Sequence, residues 1–193
     1  MEPLTLPDLT DVSFRIDDEV YLRRFVVEDA PSVFEAVRRN IDHLHFMHWI
    51  TPDYSLEMAR EFIGRATLPV EAKKGLGFGI FRGDRFIGSI GYVSFELDTH
   101  RTEIGYWLDK DEEGKGIISA SVRKMIDFAF NELRMNKVEI RCSADNIRSA
   151  AVPRRLGFKV EGLLRQSELR HGVLKDFMVF GLLRDEWPRV QPA

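Results

Sequence analysis

Residues 101–133 read RTEIGYWLDKDEEGKGIISASVRKMIDFAFNEL. Thr102–Leu108 has the pattern of a strand, and an acidic turn holding Gly114-Lys115-Gly116 follows it. An amphipathic helix comes next, with Val122, Met125, Ile126, Ala129, Phe130 and Leu133 on one stripe. A glycine-bearing turn that opens a helix aims several unpaired backbone N–H groups at one spot. With the positive end of the helix dipole, this makes a seat for a phosphate or pyrophosphate. The turn is not a Walker A loop, since no Gly-x4-Gly-Lys-Ser/Thr is present, and the dinucleotide fingerprint is also missing. A strand–helix turn that simply needs small residues is the competing reading of these glycines.

Upstream, Pro3 and Pro7 fall in an aperiodic stretch, so residues 1–14 read as a loose arm. A strand is expected at Val20–Arg24, then a helix from an Asp29 cap to about Arg39 and another after a Ser55 cap. From Leu76 the period changes to two: strands at 76–81 and 85–95 flank a Gly83-Asp84 hairpin turn. Downstream come a strand at 138–142 and a helix from about Asn146 to Leu156, ended by Gly157. Strands at about 160–170 and 174–183 then turn at His171-Gly172. Pro153 is expected to break or shorten its helix. The order predicts one α/β (α+β) domain over residues 15–187, a single mixed sheet of about seven strands with flanking helices, and a short tail at 188–193.

The chain has 193 residues, 44% hydrophobic and 31% charged, with a net charge of −3. That balance suits a globular enzyme or binding domain and argues against a broadly basic nucleic-acid binder. No apolar run approaches the roughly 18–20 residues of a membrane span, and the N-terminus lacks the n- and h-regions of a secretory signal. The single cysteine, Cys142, excludes an internal disulfide framework and fits a reducing cytoplasm. A soluble cytoplasmic protein is the expectation.

Together, EIGYWLDKDEEGKGII and KVEIRCSADNIRSAAVPRRLGFKVEG resemble the GCN5-related N-acetyltransferase (GNAT) superfamily, most closely its bacterial ribosomal-protein N-terminal acetyltransferases. The resemblance runs from Arg15 to Trp187. It implies the acyl-CoA N-acyltransferase fold, with a mostly antiparallel sheet whose strand before the turn splays from its neighbour. It also implies acetyl-CoA as co-substrate and no metal. On this resemblance Gly105, Tyr106, Trp107 and Leu108 contact pantetheine, while Glu113, Gly114, Lys115, Gly116, Ile117, Ile118 and Ser119 surround the pyrophosphate. Two positions depart from the family pattern. Glu113 stands where Gln or Arg is usual, and Ile118 where Gly or Ala closes the turn. Glu113 puts a carboxylate beside an anion, with Lys115 as compensating charge, so CoA affinity is expected to be retained but weakened.

Acetyl transfer to an amine needs a neutral amine, a polarised thioester carbonyl and a protonated leaving thiolate. The resemblance assigns the base to Glu168, in LLRQSELRHG, and the thiolate-side donor to Ser149. Glu103 is the alternative base, and Asn146 bonds pantetheine or caps its helix. Cys142 alternates with Val138 and Ile140, which favours packing over an acyl-cysteine mechanism. His43, His45 and His48 lack the spacing logic of a metal site. That segment, with His48 and Trp49 as substrate contacts, is expected at the acceptor entrance. The acceptor implied is a protein N-terminus. A small amine (polyamine, amino acid or aminoglycoside) is the alternative, and a non-catalytic acyl-CoA-binding module a third reading. The resembled family commonly dimerises, and Phe177-Met178-Val179-Phe180 offers apolar surface for a homodimer.

Overall fold

Eight strands join in one sheet in the computed structural model, which describes residues 4–47, 49–68 and 75–187. The strands are β1 (Ser13–Arg15), β2 (Val20–Arg24), β3 (Leu76–Arg82), β4 (Arg85–Glu96), β5 (Arg101–Leu108), β6 (Lys137–Ser143), β7 (Lys159–Arg170) and β8 (Val173–Leu183). Their spatial order is β1-β2-β3-β4-β5-β6-β8-β7. Every neighbouring pair is antiparallel except β5–β6. That parallel pair needs a crossover, and the helix α3 (Ile117–Asn131) supplies it.

Helices α1 (Ala30–Arg39) and α2 (Leu56–Thr67) pack with Phe25, Phe81, Phe86 and Trp107 in one apolar cluster. A second cluster joins α3 and α4 (Ile147–Arg155) to Phe78, Ile90, Ile104, Ile140 and Phe180. The Ser55 hydroxyl caps α2 by accepting from the Met58 N–H at 3.3 Å. Asp29 precedes α1 but does not cap it. Its carboxylate instead takes both arms of the Arg23 guanidinium at 2.7 Å and the Val26 N–H at 2.9 Å. Pro31 in the first turn of α1 loses no bond, because that N–H has no intrahelical partner anyway.

Two further expectations are corrected. The stretch 1–14, expected to be loose, is anchored where described. Leu9 is 4% exposed, Leu4 and Leu6 pack on the core, and Phe14 sets its ring edge against Phe78 and Phe128. Its end forms β1, the eighth strand, whose three residues are too few to show a period. Pro153 does not break α4, which runs on to Arg155. A proline there removes the N–H that the Ser149 carbonyl would accept, and the Tyr106 hydroxyl donates to that carbonyl instead, at 3.0 Å. The tail 188–193 lies outside the described residues.

Candidate active site

β5 and β6 pair only from Arg101↔Lys137 to Glu103↔Glu139, and then part. The cause lies on the other side of β5. There β4 carries one extra residue, Val93, opposite the Glu103–Ile104 step, and such a bulge bends a strand. Gly105 sits under the bend, where a Cβ would come within 2.9 Å of a Val93 methyl. The parting leaves the β6-facing edge of β5 unpaired from Ile104 onward, and two cavities open along it, of about 900 and 550 Å³. Phe46, Met47, Tyr106, Trp107, Asn146 and Ser149 line both, so the two form one trough. Gly105 faces the larger cavity and Leu108 the smaller.

The glycine turn borders the smaller cavity. Gly114 and Gly116 have φ of 76° and 78°, and a Cβ at either would meet nothing within 4 Å, so backbone conformation rather than space requires glycine. α3 begins without a side-chain cap, and its first internal bond runs from Ala120 N–H to the Gly116 carbonyl. The N–H groups of Ile117, Ile118 and Ser119 therefore have no intrahelical acceptor. Below the turn, Asp109 and Glu112 are buried. Asp109 accepts from Arg39 at 2.6 Å and Arg85 at 3.1 Å, and Glu112 from Arg82 at 3.1 Å. Lys115 also donates to Glu112, at 3.0 Å, so its charge is taken up below the turn rather than left to offset Glu113. Glu113 is neutralised from elsewhere: Arg148 of α4 donates to it at 2.9 Å, and His43 Nε2 lies 3.1 Å from it. Ser119 accepts from Arg155 at 2.7 Å.

The larger cavity gathers the chemistry. Asn146 caps α4, its side-chain oxygen accepting the Ser149 N–H at 3.0 Å. The Ser149 hydroxyl stands beside the Cys142 thiol. Burial pushes that thiol up and the hydroxyl opposes the rise. Glu168 reaches the cavity because β7 carries extra residues between Leu164 and Glu168, with Gln166 at φ 48° and its N–H on Asp176 at 2.8 Å. The Glu168 carboxylate pairs with Arg170, whose guanidinium lies over the Phe177 ring. Glu103 lines the same cavity, and burial raises its carboxyl above the usual range although Arg141, 3.5 Å away, opposes this. Trp49 lines the mouth, stacked on Phe62 at 5.4 Å, whereas His48 lies outside the described residues.

Arg141, Arg148, Arg155 and Arg170 were not among the sequence-predicted site residues. For Arg141 a signal existed: Lys137, Glu139 and Arg141 alternate along β6 opposite its apolar face. Arg170 stands two residues from Glu168 on the same strand, whereas Arg148 and Arg155 depend on contacts between elements far apart in sequence. Among the described residues no three His, Cys, Asp or Glu side chains stand together to hold a metal, and no helix is long and apolar enough to cross a membrane.

Residues 19–159 match the acetyltransferase (GNAT) domain family. An uncharacterised N-acetyltransferase, p20, of Bacillus licheniformis is 34% identical over 172 residues, covering 88% of this chain and 96% of its own. The ribosomal-protein-serine acetyltransferase of Escherichia coli (strain K12) is 34% identical over 108 residues, 56% of this chain and 60% of its own. Among solved structures, the acetyltransferase that modifies the N-terminal serine of ribosomal protein L7/L12 in Salmonella typhimurium superposes with a TM-score of 0.81. It is 25% identical, over 89% of this chain and 99% of that one. RimL, an L7/L12 α-N-protein acetyltransferase in complex with coenzyme A, superposes at 0.83 with 24% identity, over 89% and 98%.

Proposed function

This chain belongs to the acetyltransferase (GNAT) family and is an N-acetyltransferase, and from that premise we propose that it acetylates the N-terminal α-amino group of a protein, with acetyl-CoA as donor. The names of its relatives point to a ribosomal protein as the acceptor. The observation that carries this reading is the joined trough, with an anion seat at one end and a wide aromatic mouth holding two carboxylates at the other.

The residues fit the cofactor. The glycine turn and the uncapped start of α3 offer free N–H groups to a pyrophosphate, and the open edge of β5 at Gly105–Leu108 offers backbone to the pantetheine amides. Bound acetyl-CoA supplies an acetyl group on a thioester. Around it Ser149 provides a hydroxyl for the leaving sulfur, and Glu168 takes the proton of the attacking amine, with Glu103 as rival base. An α-amino group, with a pKa of about 8, loses its proton to a carboxylate more readily than a lysine side chain at about 10.4.

The cavity argues against a polyamine acceptor. Arg65, Arg141 and Arg170 line it beside Glu103 and Glu168, so a polycation would meet three guanidiniums. The same arginines favour a free amino acid as the second reading, through its carboxylate. A CoA-release assay across Ser- and Ala-starting peptides, amino acids, polyamines and aminoglycosides separates these. Peptide turnover at least about tenfold above the rest in kcat/KM is expected, and preference for an aminoglycoside or polyamine overturns the assignment. With the best acceptor, E168Q should cost about 10²–10⁴-fold in turnover across pH. If E103Q alone does so, the base is Glu103.

The single cysteine fits a reducing cytoplasm. Phe177 and Phe180, expected to offer dimer surface, are buried in the core, and it is exposed Leu163, Leu164, Leu169, Val173 and Leu174 on the edge hairpin β7–β8 that fit a homodimer. A monomer in sedimentation equilibrium at micromolar concentration would exclude it.

A further inference from the structure

At the fork where β5 and β6 separate, charged side chains form a continuous chain of contacts. Glu139 on β6 is 4% exposed, and its carboxylate accepts from Arg101 at 2.7 Å and from Arg141 at 3.0 Å, with Lys137 at 2.9 Å. Three cations thus meet one buried anion, and their excess charge has to be balanced nearby. Lys137 has a second partner in Glu161 at 2.6 Å. Arg141 instead turns its Nε toward Glu103, at 3.5 Å, on the wall of the larger cavity, where Glu168 also stands. Glu139 is therefore a fixed anchor, and Arg141 is the cation it delivers to the cavity.

We propose that Arg141, anchored by Glu139 at the fork of β5 and β6, is a positioning residue that keeps the cavity carboxylate Glu103 ionised and able to assist in taking the proton of the acceptor amine. This rests on the acetyl-transfer reading above. The physical need is plain. Two carboxylates in one partly dry cavity repel each other, and without a cation one of them holds a proton and cannot act as a base. The charged groups around Glu103 are Arg101 on its own strand, Glu139 and Arg141 on β6, and Glu168 on β7. Arg170, beyond Glu168, is paired with that carboxylate, and Arg65 of α2 lines the same cavity. Burial, Glu139 and Glu168 push Glu103 up, while Arg141 and Arg101 hold it down.

The sign of each substitution follows. R141Q removes a cation, so Glu103 holds its proton to higher pH, and the acid limb of kcat/KM moves up by roughly half to one pH unit. E139Q removes a neighbouring anion that pushes Glu103 up, while Arg101 and Arg141 keep their charge, so the limb moves down. R141K keeps the charge and returns the limb toward wild type. R141Q and R141K should share one acetyl-CoA affinity, because the glycine turn that seats the pyrophosphate borders the smaller cavity, which Arg141 does not line. General damage to the site would lower the rate of both variants without driving their limbs in opposite directions. An unmoved limb in R141Q, or R141Q and E139Q moving the same way, overturns the proposal. If E139Q does not fold, the contrast between R141Q and R141K decides alone. Side-chain carboxyl NMR titration of Glu103 in the same proteins reads the same shifts without turnover. A wild-type protein that acetylates no amine would therefore sink the functional reading while the titration still judges Arg141.

Discussion

Pro153 and Tyr106 show how one residue's defect becomes another's function. The proline removes an N–H from α4, the Ser149 carbonyl loses its helical donor, and the Tyr106 hydroxyl bridges from β5 to take its place. The bond ties the cofactor strand to the helix that presents Ser149. Tyr106→Phe should therefore destabilise by about 1–2 kcal/mol, the cost of leaving a carbonyl without its partner. In a Pro153→Ala background the restored N–H serves that carbonyl, so the same change should cost at least about 0.5 kcal/mol less. Urea unfolding of the four proteins gives the cycle, and full additivity would show that the two residues are not coupled. Glu113 carries a second residue-scale prediction. Its carboxylate borders the anion seat, and Arg148 neutralises it, with His43 Nε2 alongside. Glu113→Gln removes the negative charge and frees Arg148, so CoA should bind about two- to fivefold tighter at low salt, with the gain fading as ions screen it. Weaker binding by calorimetry would mean that the carboxylate instead holds the turn in shape. The awkwardness of Glu113 was legible in the sequence from its place beside the glycines. Its remedy was not, because Arg148 lies 35 residues away on another element.

Elements explain why the turn works and why only part of the site could be read in advance. Gly116 sits at φ 78°, a conformation that costs a side-chain-bearing residue about 1–2 kcal/mol. Gly116→Ala should lower stability by that amount and weaken CoA binding, whereas Gly116→Asn, better tolerated there, should lose less of both. Equal affinity for all three by calorimetry would remove the turn from the cofactor site. The turn, its strand and its helix were legible because glycine spacing and two periodicities are local signals. The parting of β5 from β6 was not, because it depends on the extra residue Val93 in a third strand, whose register is set by pairing. The same holds for Glu168. The strand was recognisable, but its reach into the cavity depends on the irregularity around Gln166, which alternation along β7 does not announce. β1 escaped for a simpler reason, since three residues cannot display a period.

At the scale of the whole molecule, two of the buried charge networks among the described residues, one beneath the glycine turn and one at the strand fork, tie stability to pH. Burial alone would raise Asp109, but hydrogen bonds from Arg39 and the Asp111 N–H outweigh it and hold the carboxyl below its usual range. Glu112 is likewise pushed up by burial and held down by Lys115 and Arg82, and Glu139 by Lys137 and Arg141. A carboxylate depressed in the folded state adds stability that is complete above its unfolded pKa and disappears as pH falls through its folded one. With unfolded values of 3.8 for aspartate and 4.5 for glutamate, the melting temperature should hold level from neutral pH to about 5.5 and fall steadily below about 4.5. Glu103 acts in the opposite direction. Its raised carboxyl destabilises the fold when ionised, so its protonation returns a little stability on the way down and softens the onset of the fall. Asp109→Asn separates the contributions. It leaves Arg39 and Arg85 without their shared anion and should cost about 1–3 kcal/mol at pH 7, the lower end if solvent screens the half-exposed arginines. Because the substituted residue no longer titrates, the gap to wild type should narrow as pH drops toward 3. Calorimetric melts at stepped pH measure this directly: a gap of constant width would mean that Asp109 matters for its shape and hydrogen bonds rather than its charge.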